Sequence, residues 1–302
     1  MKTIYFHPFS RRYLPILFGL ALLCFAYPAQ AENNVRDSAL QTLENVLRSD
    51  EERREALKIL THYPDEAFNQ ALLKILHNKH EAIPFRRDAA ETLKHTADID
   101  TLRVLHDTLF DRHEKDYFVR DECLAILWDT MPASDKETFL SELLGLAQDT
   151  MESADVREYV IGYLQNANFI PEKEPDWASR ILQDREEPVP VRTAALTYME
   201  TLQYKILIEL MPALLIRAHE DRNFREILML KASYLSHKDI HQVFRSILSN
   251  QHEPYWARHL ALNLLQNDAG DKELAIFLLE IWKREKNGPM RDEIKLAREK
   301  LK

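Results

Sequence analysis

Val119-Arg120-Asp121-Glu122-Cys123-Leu124 returns, in the same grammar, as Val156-Arg157-Glu158-Tyr159-Val160-Ile161, Val191-Arg192-Thr193-Ala194-Ala195-Leu196 and Ala257-Arg258-His259-Leu260-Ala261-Leu262. Each copy is an apolar residue, an arginine, two variable residues, then two small or aliphatic ones. The arginine recurs as Arg53, Arg86, Arg120, Arg157, Arg192, Arg225, Arg258 and Arg291, in steps of 33, 34, 37, 35, 33, 33 and 33 residues. Small or apolar residues follow at three, four and seven positions, as in Ala56/Leu57/Leu60 and Ala89/Ala90/Leu93. That spacing is one face of an α-helix. Self-similarity at this period is the mark of a stacked repeat array.

Outward from each arginine-led helix lies a preceding one. These first helices are expected near Val35–Arg48, Asp65–Asn78, Ile99–Asp111, Ser134–Gln148, Asp176–Asp184, Lys205–Ala218, Asp239–Asn250 and Lys272–Lys283. Pro84, Pro190, Pro254 and Pro289 stand at the starts of second helices, where a missing N–H is harmless. Ser134 with Glu137 predicts a capping box. Sustained two-residue alternation is absent, so no sheet is expected. The segment Asn166–Asp176, with Pro171 and Pro175, reads as a loop and a candidate hinge.

Five glycines in 302 residues argue against tetratricopeptide and ankyrin units. The arginine-led pattern resembles the second helix of HEAT repeats (the PBS-lyase/HEAT-like group) over nearly all of residues 32–302. The resemblance implies an all-α fold: a right-handed α-solenoid of about eight helix pairs, second helices on the concave face. It also implies that the arginines hydrogen-bond acidic or carbonyl groups of neighbouring repeats. In repeats two to eight a glutamate five to seven residues before the arginine offers a partner: Glu81, Glu114, Glu152, Glu186, Glu220, Glu253 and Glu285. After Arg291 come Ile294, Lys295 and Arg298, a polar face suited to a terminal cap.

Residues 1–31 read as a secretory signal peptide. Lys2, Arg11 and Arg12 precede the apolar run Leu14–Tyr27, and Ala29-Gln30-Ala31 supplies the small residues before cleavage. Pro15 and the run's length argue against a retained anchor. Leu23 before Cys24 argues against a lipoprotein, and Pro15 against twin-arginine export. The expected mature chain, 32–302, is exported to the periplasm or cell exterior. The leader holds three of the 40 basic residues and none of the 49 acidic ones, so the mature chain carries a net −12. Such acidity disfavours nucleic acid and anionic membrane. Its single cysteine, Cys123, falls on a core position.

Two constellations invite chemistry. His80-Glu81, His113-Glu114, His219-Glu220 and His252-Glu253 pair two metal-ligand types in turns of the second, third, sixth and seventh repeats. Their count and distribution resemble the deoxyhypusine hydroxylase family, HEAT-repeat enzymes in which four His-Glu pairs hold two irons. There the pairs lie within the second helix, whereas here they precede it by several residues. Aromatics open several second helices: Phe85, Tyr117, Phe118, Phe224, Tyr255 and Trp256. Of these, Phe85, Phe118, Tyr255 and Trp256 are candidate anchors for a protein or peptide partner. Nucleophile elbows, phosphate-binding glycine loops and His-Glu-x-x-His are absent. The reading is therefore a non-catalytic interaction scaffold with no cofactor. A metal-dependent enzyme or a bilin-lyase-like protein is the alternative, and oligomeric state stays open.

Overall fold

A computed structural model describes residues 33–217, 220–235, 238–266 and 272–301. The expected leader, Ala218 and His219 lie outside the described residues. Among those described, every regular element is helical and there is no strand. The helices come in pairs: α1 (33–44) with α2 (Asp50–Leu60), α3 (Glu66–His77) with α4 (Ile83–Thr96), and α5 (Ile99–Phe110) with α6 (Tyr117–Thr130). Then follow α7 (Lys136–Gln148) with α8 (Ala154–Asn166), α9 (Trp177–Gln183) with α10 (Val189–Leu202), and α11 (Tyr204–Leu215) with α12 (Arg222–Ala232). The last are α13 (Lys238–Ser249) with α14 (Tyr255–Leu265) and α15 (Lys272–Arg284) with α16 (Gly288–Lys300). No described helix is long and apolar enough to cross a membrane.

The chain divides into two compact units between Ala133 and Ser134. In the first unit α3 packs on α4, α5 on α6, and α4 on α6. In the second, each first helix packs on its own second helix, while α8, α10, α12, α14 and α16 touch in succession. Within the units, α4, α8, α10, α12 and α14 are thus each covered by the next second helix. Ala89, Ala90 and Leu93 of α4 are fully buried, as are Ala195, Leu196 and Met199 of α10. Burying each large side chain contributes about 1.5–3 kcal/mol before conformational entropy is subtracted. Cys123 belongs to this core, and burial pushes its thiol up to about 12.

Helix starts follow local chemistry. Asp65, Asp98, Ser153, Asp221 and Asn287 each accept the backbone N–H three residues on. Such a cap is worth about 1 kcal/mol. The capping box forms at Ser49 and Glu52. It does not form at Ser134, which bonds Asp135 instead, while Asp135 starts α7 without a side-chain cap. Nor is the loop after α8 a free hinge. Asn168 takes the left-handed conformation (φ 53°) that closes the helix. The Tyr198 hydroxyl then donates to Phe169 O at 2.5 Å, and the Gln203 amide to Pro175 O at 2.5 Å. Both ends of the loop are thereby tied to α10 and the residue after it.

Candidate partner-binding site

The turns inside five of the pairs are built by one short rule. Asn78, Asp111, Asp149, Asp184 and Asn250 accept, through Oδ1, the backbone N–H two residues on, at 2.8–3.1 Å. This Asx turn fixes the chain direction between helices. Its third position points outward: His80, His113, Met151, Glu186 and His252 are all exposed. Its fourth position is the acid that turns inward: Glu81, Glu114, Glu152, Glu187 and Glu253.

Into that inward corner reaches an arginine. The Nε of Arg53, Arg86, Arg120, Arg157, Arg192, Arg225 and Arg258 donates to the carbonyl of Leu43, Leu76, Leu109, Ala147, Leu182, Leu215 and Leu248, at 2.8–3.2 Å. Each satisfies an orphan carbonyl at the end of its own pair's first helix. The remaining donors reach the next pair. Arg53 grips Glu81 at 2.8 and 2.7 Å, Arg157 grips Glu187 at 2.6 and 2.8 Å, and Arg192 grips Glu220 at 2.6 and 3.0 Å. Arg225 grips Glu253 at 2.7 and 2.9 Å, and Arg258 pairs with Glu285. These forked contacts are the strong class of ion pair. Hydrogen bonding from Arg192 holds the Glu220 carboxyl below its ordinary range. At Glu285 burial pulls upward, but the Arg258 contact together with the Asn287 and Lys286 backbone N–H groups outweighs it and the carboxyl sits low.

Two glutamates expected in this role do not take it. Arg157 uses Glu187 rather than Glu186, because Glu187 is the fourth residue of its Asx turn. Arg86 uses Asp116 at 2.7 Å, because one extra residue separates Glu114 from Arg120. The ladder also ends differently from the sequence reading. Met290, fully buried, holds the arginine's place in α16, while Arg291 is exposed and lies over the Trp282 ring at 5.0 Å. At the other end, Arg48 fills the fourth position of the Asn45 turn and pairs with Glu52.

These contacts decide the His-Glu pairs. Glu81, Glu220 and Glu253 are occupied by forked arginines and face inward, while His80 and His252 face solvent. Glu114 accepts the Asp116 backbone N–H at 2.7 Å, and His113 is exposed. The described members of these pairs point apart, the glutamates inward and the histidines to solvent. Among the described residues no group of three or more His, Cys, Asp or Glu side chains could hold a metal ion.

The aromatic candidates separate into two kinds. Phe85 is fully buried and Phe118 nearly so, beneath Arg53 at 4.4 Å and Arg86 at 4.8 Å, and Phe224 lies under Arg192 at 3.8 Å. The expectation that Phe85 and Phe118 meet a partner is corrected: they are cation–π floors of the ladder. Tyr255 is different, with 43% of its surface exposed at the start of α14. Its hydroxyl donates to Glu293 of α16, which pushes the phenol up from its ordinary value. Its ring stacks on His259 with centroids 5.9 Å apart. His259 in turn meets Glu293 through Nδ1 at 2.7 Å, and its Nε2 accepts from Asn263 at 3.0 Å. Trp256 is half-buried under the guanidinium of Arg222, 5.3 Å from the ring centroid. Reading the sequence missed Arg222, His259, Asn263 and Glu293. The available signal was register: His259 and Glu293, 34 residues apart, both lie on second helices.

No family model matches the chain, and no curated protein matches it. Among solved structures the chain is similar to human deoxyhypusine hydroxylase in complex with glycerol. That match has 17% identity over 91% of this chain and 98% of that one, with a TM-score of 0.33. A likeness at this level carries no argument about shape or chemistry. What stands is the class defined by the described residues: an all-helical protein of paired helices joined by buried Arg–carboxylate rungs.

Proposed function

We propose that the chain is a non-catalytic interaction scaffold. It is a HEAT-like α-solenoid of about eight helix pairs, exported to the periplasm or cell exterior once residues 1–31 are removed. Its partner is a protein or peptide lying along the second helices and the turns that precede them. The observation that supports this best is Tyr255. An exposed aromatic ring normally loses rotamer freedom when a partner binds, at about 0.5–1.5 kcal/mol per side chain. Here the ring is already held by Glu293 and His259, so a partner meets a surface ordered in advance. Rigid exposed aromatics of this kind are the usual anchors of an interface. The polar groups repeated through the chain point the other way, into rungs between neighbouring pairs, and serve cohesion.

The test is cross-linking of the processed protein in its own cell with a photoreactive residue at position 255. Adducts to a discrete protein from this position, and none from a photoreactive residue at the exposed Asp107, support the reading. No adduct from either position on a protein that nevertheless co-purifies would remove it.

A further inference from the structure

We propose that the last helix pair of one copy docks on the first helix pair of another, so that the chain associates head to tail with itself. This goes beyond the scaffold reading and uses none of its binding residues. In the first pair, Arg36 of α1 reaches Asp65 at the start of α3, and Arg54 of α2 reaches Asp88 of α4, so those flanks face the second pair. The opposite flank opens as a groove of about 700 Å³. Its floor is apolar, from Val35 and Ala39 of α1 and Ala56 and Ile59 of α2. Its α2 side carries Glu51, Glu52 and Glu55.

The last pair has the opposite character. Glu293 of α16 faces α14 through Tyr255 and His259, and Phe277 of α15 lies beneath Arg245 of α13. The far flank of α16 carries Arg291, Lys295 and Arg298, whose spacings of four and three set them in one stripe. Arg291 and Arg298 both lie over the Trp282 ring of α15, at 5.0 and 5.4 Å, which makes them one surface. None of the three cations forms an ion pair among the described residues, and the Arg298 Nε is buried without an acceptor. Residues 283–302 hold eight basic and four acidic side chains, in a chain of net −9. Two of those acids are engaged inside the array, Glu285 with Arg258 and Glu293 with α14. The other two, Asp292 and Glu299, stand about a quarter-turn around α16 from the stripe.

Inside the array first helices abut first helices, as α11 does α13, and second helices abut second helices, as α14 does α16. Continued across two copies, that rule sets the partly exposed Leu279 and Trp282 of α15 against Val35 and Ala39 of α1. It sets the basic stripe of α16 against the three carboxylates of α2. Glu51 forms no ion pair among the described residues, and Glu55 holds only Lys58, in a contact 67% and 69% exposed and therefore weak. Glu52 holds Arg48, the one cation of the groove lining, so the lining as a whole stays acidic. Contact between unlike ends is heterologous, so association does not stop at a closed dimer.

Sedimentation velocity of the processed chain over a concentration series is the test. Association should grow with concentration and weaken as added salt shortens the Debye length from about 30 Å to about 3 Å. Arg291→Glu with Arg298→Glu should weaken it about tenfold or more, and so should Glu51→Lys with Glu55→Lys. An equimolar mixture of the two double variants should associate again, because each keeps the end the other has lost. Circular dichroism and melting check folding, and Lys295→Glu and Glu51→Lys, at exposed positions, replace a double variant that misfolds. A wild type that stays monomeric throughout would overturn the proposal. So would association that survives both double variants, or a mixture that fails to restore it. Binding of anionic vesicles through the basic stripe without self-association would assign that face to lipid and overturn it as well.

Discussion

Replacing Arg192 by methionine copies what the chain itself does at Met290, but in the middle of the ladder. Arg192 is 1% exposed. It donates to Leu182 O at 3.2 Å and to both oxygens of Glu220, and its guanidinium lies 3.8 Å from the Phe224 centroid. The Glu220 side chain is 2% exposed, so the mutation strands a buried carboxylate. Breaking a buried pair from one side costs about 3–5 kcal/mol. Glu220→Gln, which strands the guanidinium, should cost a similar amount. The double variant strands neither charge and should cost less than either single change. Urea unfolding followed by helicity and by the fluorescence of Trp177, buried in the same unit, reads all three. The sign of the pH effect adds a second check. In the wild type Glu220 sits below its ordinary value of 4.5, so its contribution is present above that pH and lost as pH falls through the lower folded value. In Arg192→Met the lone buried carboxyl is raised, so acid relieves it. The gap between variant and wild type should therefore narrow below about pH 4.5. A penalty under about 1 kcal/mol, or a gap indifferent to acid, would refute the reasoning.

Other outcomes follow from single contacts. Cys123, buried with its thiol near 12, should resist alkylation at pH 8 in the folded protein and react fully in urea, as mass spectrometry would register. Tyr198→Phe removes the donor to Phe169 O and should open the 167–176 loop to limited proteolysis, with a stability loss of about 1–2 kcal/mol. An unchanged cleavage pattern would mean the loop is held by other means. Trp256→Ala should lower stability by about 1–2 kcal/mol, because the half-buried indole supports Arg222. Tyr255→Ala, at an exposed site, should leave melting nearly unchanged.

Much of this structure could be read from residues alone, because one spacing repeats. The positions three, four and seven after Arg86, Arg120 and Arg192 predicted buried faces, and Ala89, Cys123, Leu127 and Leu196 are buried. Ladder partners were harder. Distance from the arginine selected Glu186, whereas the Asx turn selects Glu187, because the turn and not the count orients the carboxylate. The same turn explains why His80 and Glu81, adjacent in sequence, face opposite ways. Arg291 satisfied the period but not the packing: Met290 fills the buried position, and Arg291 lies exposed over the Trp282 ring instead. Phe85 and Tyr255 both open second helices, yet Phe85 precedes its arginine by one residue and Tyr255 by three. That difference rotates one ring inward and leaves the other at the surface. The Tyr255–Glu293 contact spans 38 residues and depends on side-chain direction, which no spacing rule supplies.

The account turns on rungs that join one helix pair to the next. Native-state hydrogen exchange on Glu253→Gln tests this most directly, because the change sits in the turn before α14 while its partner Arg225 belongs to α12. Protection should fall in α11 and α12 as well as in α13 and α14. Loss confined to α13 and α14, with the earlier pair untouched, would contradict the coupling.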